Sequence, residues 1–164
     1  MADDAIFMKR AIRLARAAGG RGEVPIGALV VIGSHGAGRV GESGAGRGGR
    51  VVGRGANRPI AARDPTAHAQ IVALRRAARS TGNYRLPGAT LYVTLEPCLM
   101  CLGAMVQARI ARLVYGAPDP KVGATALLRA RRAAGLNHRF AIAGGVLSAE
   151  CAGLLKEFFR RRRR

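Results

Sequence analysis

Two short stretches, TAHAQ at residues 66–70 and EPCLMC at residues 96–101, decide how this chain is organised. Together they offer one imidazole, from His68, and two thiolates, from Cys98 and Cys101. A catalytic zinc ion in a protein has three protein ligands of this kind, and its fourth position is open to water. The two stretches therefore predict one zinc ion per chain, bound in an open site.

Each stretch has a simpler explanation when it is taken alone. A lone histidine is more often a polar residue of the core, and a Cys-x-x-Cys pair can be a redox pair or half of a structural zinc site. A redox pair needs no histidine. A structural site needs a fourth ligand, and the only other cysteine is Cys151, far along the chain in an apolar helical pattern. The combination therefore favours the catalytic zinc.

Length and composition favour a single domain, residues 1–164, because 49% apolar residues suffice for one core. No run of eighteen apolar residues is present, and the N-terminus lacks the apolar core of a signal peptide. Only Cys151 remains once two of the three cysteines bind metal, which argues against disulfides. We therefore expect a cytoplasmic protein.

The formal net charge of +19 indicates a polyanionic partner, because clustered basic side chains bind phosphates and release counterions. A membrane surface is the weaker candidate. Nearly all the positive charge is arginine, and an Ala/Gly/Arg-rich chain can partly reflect genomic base composition. Charge alone therefore does not identify the partner.

Apolar periodicity predicts the order α-β-β-α-β-α-β-α-β-α. The predicted helices cover residues 4–18, 64–80, a segment from 97, 124–133 and a segment from 148; the predicted strands cover 26–32, 50–54, 89–95, 112–116 and 140–143. Strands that alternate with helices in the second half imply parallel crossovers, and hence a three-layer α/β fold with helices on both faces of the sheet.

Residues 33–49 contain eight glycines and almost nothing apolar. Such a composition cannot recover the entropy of ordering by burial, so we expect a flexible loop between the first two strands. A glycine-rich phosphate cradle is the functional alternative, but no Walker or dinucleotide spacing is present.

The predicted helices also bear on the site. His68 is expected in the first turn or two of the helix that opens at Asp64, and Cys98 and Cys101 share one face at the start of the next helix. Residues two apart on a helix project about 200° apart, so position 70 should approach the metal-bound water from another side.

The chain resembles the zinc-dependent nucleobase deaminases, whose signature is His-x-Glu followed by Pro-Cys-x-x-Cys. Every element of the signature is present except the glutamate, which is Gln70. Over nearly its whole length the chain is similar to bacterial tRNA-specific adenosine deaminases of the cytidine/deoxycytidylate deaminase superfamily. The segments that carry this similarity are residues 23–28, 57–59, 64–69, 83–86, 101–105, 116–121, 135–139 and 158–160.

The resemblance implies a cytidine-deaminase-like α/β/α fold with a mixed five-stranded sheet, and a homodimer with one Zn²⁺ per chain. It implies deamination of adenosine to inosine at the wobble position of tRNA, with the anticodon stem-loop as partner. It also implies that Asn57 contacts the base. Five further residues are implied to contact the substrate: Ala69, Asp119, Lys121, Phe159 and Arg160. Alternatively, Phe158 and Phe159 belong to the core and residues 160–164 form a solvated tail.

The chain departs from the family pattern in the insertion at 33–49 and at Gln70. The implied mechanism needs a carboxylate at position 70 to carry protons from water to the adenine ring and the leaving ammonia, and a carboxamide cannot carry them. Glu96 is adjacent to the ligands, but it belongs to the strand-to-helix turn and is not assigned this role. We favour a deliberate substitution that traps substrate; a natural binding paralogue would have the same sequence.

Three functions therefore stay open: a tRNA adenosine deaminase disabled at one residue, a nucleoside or free-base deaminase, and a non-catalytic RNA-binding protein. The basic charge and the extent of the resemblance favour the first. A small-substrate deaminase would need no basic surface, and it would bind a nucleoside without binding tRNA.

Overall fold

The computed structural model describes residues 2–33, 49–129 and 136–163, in which five strands form one mixed sheet. The strands are β1 (Gly27–Ile32), β2 (Arg50–Ala56), β3 (Ala89–Leu95), β4 (Arg112–Ala117) and β5 (Ala141–Ala143). The helices are α1 (Ala2–Gly19), α2 (Pro59–Ala62), α3 (Ala69–Thr81), α4 (Leu99–Gln107), α5 (Thr125–Arg129) and α6 (Ser148–Arg162).

The strand order across the sheet is β2-β1-β3-β4-β5. β1 is antiparallel to both of its neighbours, whereas β3, β4 and β5 are mutually parallel. The predicted pairing of the first two strands and the predicted parallel crossovers are confirmed, as is the fold class. Because β2, β3 and β4 run in the same direction, their carboxyl ends lie at one edge of the sheet.

Side chains that alternate along the strands divide the core between the two faces of the sheet. Leu91 and Val93 of β3 pack with residues of α3, α4 and α5, whereas Tyr92 between them packs with residues of α1 and α6. This alternation gives the helix, sheet and helix layers that the sequence predicts.

The backbones of β2 and α3 are in direct contact. A Cβ atom on Gly53 would lie 2.3 Å from the carbonyl oxygen of Ala73, and one on Gly55 would lie 2.0 Å from that of Ala69. Both distances are shorter than any Cβ contact, so only glycine permits this approach. The N-terminal turn of α3 is therefore placed by the edge strand.

On the other face, one buried carboxylate joins α1 to the centre of the sheet. Asp4 accepts a hydrogen bond of 2.9 Å from the Tyr92 hydroxyl and two, of 2.7 and 2.9 Å, from the Arg112 guanidinium. Asp4 is only 5% exposed and Tyr92 is fully buried. The N-terminus of α1 is thereby attached to β3 and β4.

Two helix starts differ from the prediction. α3 begins at Ala69 rather than near residue 64, because the Asp64 carboxylate accepts hydrogen bonds from the Thr66 amide and hydroxyl and forms a turn. His68 is consequently the extended N-cap of α3 and does not lie inside it. α4 likewise begins at Leu99, with Cys98 as its N-cap.

The short helix α2 was not predicted. Its first two amides, those of Ile60 and Ala61, donate hydrogen bonds of 3.4 and 2.8 Å to the buried Glu23 carboxylate, and Arg63 ends it in the left-handed conformation. The predicted loop at 33–49 and the end of the predicted helix at 124–133 fall largely or partly outside the described residues. Among those described, no helix is long and apolar enough to cross a membrane.

Candidate active site

Most of the candidate site residues lie at the edge of the sheet where three strands end. Asn57 directly follows β2, the turn 96–98 follows β3, and Asp119 follows β4 by two residues. In sheets with parallel strands, ligands bind in the crevice outside the carboxyl ends of those strands. His68, at the N-terminus of α3, lies at the same edge, because the Arg58 amide donates a hydrogen bond to the carbonyl oxygen of the neighbouring Ala67.

Three side chains form the group that could hold a metal ion. His68 Nδ1 lies 3.7 Å from Cys98 Sγ and 3.5 Å from Cys101 Sγ, and all three atoms are within 4.8 Å of one another. His68 and Cys98 are the N-caps of α3 and α4, and Cys101 lies in the first turn of α4. Two helix starts therefore supply the whole group.

These distances fit a tetrahedral zinc site. Bonds of about 2.3 Å to sulfur and about 2.0 Å to nitrogen, at a tetrahedral angle, separate the two ligand atoms by about 3.5 Å. A single Nδ1 proton serves one sulfur, whereas this nitrogen lies almost equally far from two. The arrangement is therefore better matched by a shared metal than by a thiol–imidazole hydrogen bond.

Burial shifts the pKa values of two members of the group, His68 and Cys101. Burial lowers the pKa of His68, which keeps the imidazole neutral and able to bind a metal. Burial raises the pKa of the Cys101 thiol, and the neighbouring Cys98 raises it further. Metal binding must therefore displace the Cys101 proton, helped by the partial positive charge of the α4 N-terminus.

Gln70 lies in the first turn of α3, two residues after His68, and is 3% exposed. Among the side chains that the structure describes, its Oε1 is the one buried oxygen or nitrogen without a hydrogen-bond partner. Buried polar atoms in proteins are nearly always paired. An unpaired carboxamide oxygen at this position fits a side chain that faces a ligand.

Asn57 holds the segment between His68 and Gln70. Its Oδ1 accepts a hydrogen bond of 2.9 Å from the Ala69 amide, and Asn57 is only 6% exposed. The Ala69 amide is therefore already hydrogen-bonded within the protein. This capping role was missed from the sequence, because the two residues are 12 positions apart and no local pattern links them.

Glu96 is committed to structure. Its carboxylate accepts hydrogen bonds from the Asp119 amide and from the amide and hydroxyl of Thr125. Asp119 in turn accepts from the amides of Lys121 and Val122, and the Lys121 side chain is exposed. These bonds agree with the expectation that Glu96 does not replace the missing carboxylate.

The remaining predicted residues lie on the C-terminal half of α6. Phe159 is 46% exposed and packs edge-on against Phe158, with ring centroids 5.4 Å apart, and Arg160 is exposed. No hydrogen bond, ion pair or ring contact joins Phe159 or Arg160 to the metal-binding group within the described ranges. The same half of α6 lines a cleft of about 500 Å³ together with Arg16 and with Gly19, Gly20, Gly22 and Pro25 of the segment before β1.

The chain is similar to known deaminases over nearly its whole length. The chain matches the MafB19-like deaminase family model over residues 1–163. It is 42% identical to the tRNA-specific adenosine deaminase of Haemophilus influenzae, over 98% of this chain and 85% of the relative. It is 43% identical to that of Agrobacterium fabrum, over 99% and 98% of the two chains.

A solved structure from a study of A-to-I editing by tRNA:A34 deaminases has the same fold. It superposes with a TM-score of 0.76 at 41% identity, covering 91% of this chain and 98% of that one. The resemblance noted in the sequence is thus confirmed at the level of the family. From its fold, its His/Cys/Cys group and these similarities, the chain belongs to the family of the tRNA-specific adenosine deaminases.

Proposed function

We propose that this chain has the zinc-dependent site of a tRNA adenosine deaminase, which converts adenosine to inosine at the wobble position, and that Gln70 disables turnover in this form. The observation that carries the proposal is the approach of His68 Nδ1 to both cysteine sulfurs, beside a buried and unpaired Gln70 oxygen. Relatives at about 40% identity support the substrate class.

His68, Cys98 and Cys101 would hold the zinc ion. When bound, zinc acidifies water at neutral pH and polarises groups bound to it. Hydrolytic deamination forms a C6–O bond from water and breaks the C6–N bond, and the amino group leaves as ammonia. The protons of the water must reach the adenine ring nitrogen and the leaving amino group.

Position 70 is the side chain that would carry those protons. A carboxylate accepts a proton and returns it, whereas a carboxamide keeps its N–H groups and has only a weakly basic oxygen. Gln70 still presents a donor and an acceptor, so it would orient water and base. We infer that this form binds its substrate and does not turn it over at a useful rate.

The family resemblance supports the following substrate contacts. Asn57 Nδ2 would donate to the base, and Lys121 would contact the ribose-phosphate backbone beside it. Phe159 and Arg160 would contact the anticodon stem-loop farther from the base, as the family resemblance suggests. We further propose that the chain is one domain, forms a homodimer and acts in the cytoplasm, where tRNA is its substrate.

The decisive experiment compares this chain with its Gln70→Glu variant. Both should contain about one zinc per chain and bind a stem-loop with adenosine at the wobble position. The variant should form inosine about 10²-fold to 10⁴-fold faster than the parent chain, because a general acid–base group usually contributes a factor of this size. Free adenosine and cytidine serve as control substrates.

Gln70 also favours a second candidate, an RNA-binding protein that never catalysed deamination. This candidate predicts that the Gln70→Glu variant binds zinc and RNA and forms no inosine. If instead the variant acts on a nucleoside and not on the stem-loop, the assigned substrate is wrong and the site chemistry stands.

A further inference from the structure

Residues 119–125, named here the 119–125 loop, are folded around the carboxylate of Glu96. Glu96 Oε1 accepts hydrogen bonds from the Thr125 amide at 3.2 Å and from the Thr125 hydroxyl at 2.5 Å. Glu96 Oε2 accepts a hydrogen bond of 3.1 Å from the Asp119 amide. One side chain therefore holds both ends of the loop.

The interior of the loop also packs closely against Glu96. A Cβ atom on Gly123 would lie 2.5 Å from Glu96 Oε2 and 2.4 Å from the Asp119 carbonyl oxygen, so the carboxylate fills the space that a side chain would need. The Asp119 carboxylate fixes the next turn by accepting from the Lys121 amide at 2.9 Å. The loop is thus packed closely around the Glu96 carboxylate.

The same residue belongs to the turn that carries a metal ligand. Glu96 is followed by Pro97 and then by Cys98, the N-cap of α4, and the Ala124 amide donates a hydrogen bond of 3.0 Å to the Pro97 carbonyl. The loop is therefore fastened to the ligand turn at two adjacent residues. Its exposed side chains, including Lys121 and Val122, are presented beside that turn.

A carboxylate under a surface that faces RNA is unfavourable for binding on electrostatic grounds alone. We propose that Glu96 is a positioning residue for the substrate, whose carboxylate holds the 119–125 loop against the Cys98 turn so that Lys121 meets the RNA backbone next to the base. This inference rests on the proposed function and deepens it, because it names what places a substrate contact.

Charge and geometry make opposite predictions for Glu96→Gln, and this opposition provides the test. The substitution removes one negative charge, which by itself tightens binding to a polyanion. It also replaces one acceptor oxygen with an NH₂ group, which is a donor. That NH₂ group would face another donor, either the Asp119 amide or the amide and hydroxyl of Thr125, so hydrogen bonds that hold the loop would be lost. If Glu96 positions the loop, Glu96→Gln should therefore bind RNA more weakly even though it has one negative charge fewer.

The measurement is the dissociation constant for a wobble-adenosine stem-loop at fixed salt, with zinc content and thermal unfolding recorded for each protein. Glu96→Gln should weaken binding about tenfold, the scale of one or two lost hydrogen bonds to a charged group. The matched control is Glu150→Gln, which removes the same charge from an exposed pair with Arg16 and should leave binding unchanged or slightly tighter.

A thermodynamic cycle with Lys121→Gln separates positioning from general stability. If Glu96 acts through Lys121, then Glu96→Gln should weaken binding clearly less in the Lys121→Gln background than in the parent chain. If Glu96→Gln does not fold, Thr125→Val decides, because it removes one hydroxyl donor and keeps the charge. That variant should weaken binding about threefold, as expected for one hydrogen bond.

The inference is overturned if Glu96→Gln folds and binds the stem-loop as tightly as the parent chain or more tightly. If Glu96→Gln is unfolded, unchanged binding by Thr125→Val overturns the inference. Either result leaves the proposed function intact. Additive effects in the cycle also overturn it. Failure of the parent chain to bind any stem-loop overturns the proposed function, and the inference with it. In the Gln70→Glu background, Glu96→Gln should raise KM for the stem-loop far more than it lowers kcat.

Discussion

At the scale of single residues, the group formed by His68, Cys98 and Cys101 depends on where two helices begin. His68 and Cys98 are N-caps, and each has an extended backbone. Cys101 lies within α4 and is fully buried. The three side chains therefore belong to rigid elements, and the loss of any one leaves a site with two ligands.

We expect Cys101→Ala to reduce zinc from about one equivalent per chain to nearly none, because two ligands do not form a stable tetrahedral site. Cys151→Ala is the matched control, since Cys151 is also buried and its Sγ approaches Gly116 on the opposite face of the sheet. Elemental analysis after dialysis measures both. Retention of zinc by Cys101→Ala would show that the metal is bound elsewhere.

Substitutions at Asn57 can separate its capping role from its proposed contact with the base. Asn57→Asp keeps the acceptor for the Ala69 amide and replaces the NH₂ group with oxygen. Asn57→Ala removes both and should lower the free energy of unfolding by about 1–2 kcal/mol, the usual effect of losing a helix cap. Asn57→Asp should retain more of that stability and still lose discrimination between wobble adenosine and guanosine. Denaturant unfolding and competition binding measure the two effects, and full discrimination by Asn57→Asp would remove Asn57 from the base pocket.

At the scale of secondary structure, a buried ion pair between Asp4 and Arg112 joins α1 to β4. We expect Asp4→Asn to lower the free energy of unfolding by about 3 kcal/mol, because it leaves the partly buried Arg112 without its counter-charge. Glu150→Gln, which breaks the exposed Arg16 pair, should cost less than about 1 kcal/mol. Urea unfolding at pH 7 compares them. Equal effects would mean that the Asp4 pair is as weak as a surface pair.

The elements that the sequence predicted best are those defined by local signals. β3 was predicted with its observed bounds, Ala89–Leu95, because an apolar run lies between two turn segments. The start of α3 was wrong because Asp64 and Pro65 are typical of a helix start, and here the Asp64 side chain forms a turn with Thr66 instead. α2 was missed because its amides are capped by Glu23, which is distant in sequence.

The same distinction applies to the site. The metal-binding side chains were predicted from two local motifs, and the structure brings them together. The bonds of Asn57 to Ala69 and of Glu96 to the 119–125 loop were not predicted, because each joins segments that are neighbours only after the sheet has formed. Residue types at a spacing indicate chemistry, whereas the contacts that position those residues depend on the tertiary fold.

At the scale of the whole molecule, the net charge of +19 should make RNA binding depend steeply on salt. We expect the pair Arg160→Gln and Arg163→Gln, on the exposed end of α6, to reduce the slope of log K against log salt by about two. Lys9→Gln with Arg13→Gln removes the same charge from the exposed side of α1 and should change the slope much less. Equal slopes for the two double variants would mean that RNA binding depends on the total charge of the protein and not on where the charges lie.

The direct contact between β2 and α3 has a consequence for how this sequence can diverge. Any side chain on Gly53 or Gly55 would push α3 outward, and His68 and Gln70 would move with it while the two cysteines stay on α4. Neither glycine touches a ligand, yet both set the distance between the two halves of the metal-binding group. In a deep mutational scan selected for zinc retention, positions 53 and 55 should be as intolerant as the ligands themselves, whereas the large apolar positions of the core should accept one another's residues.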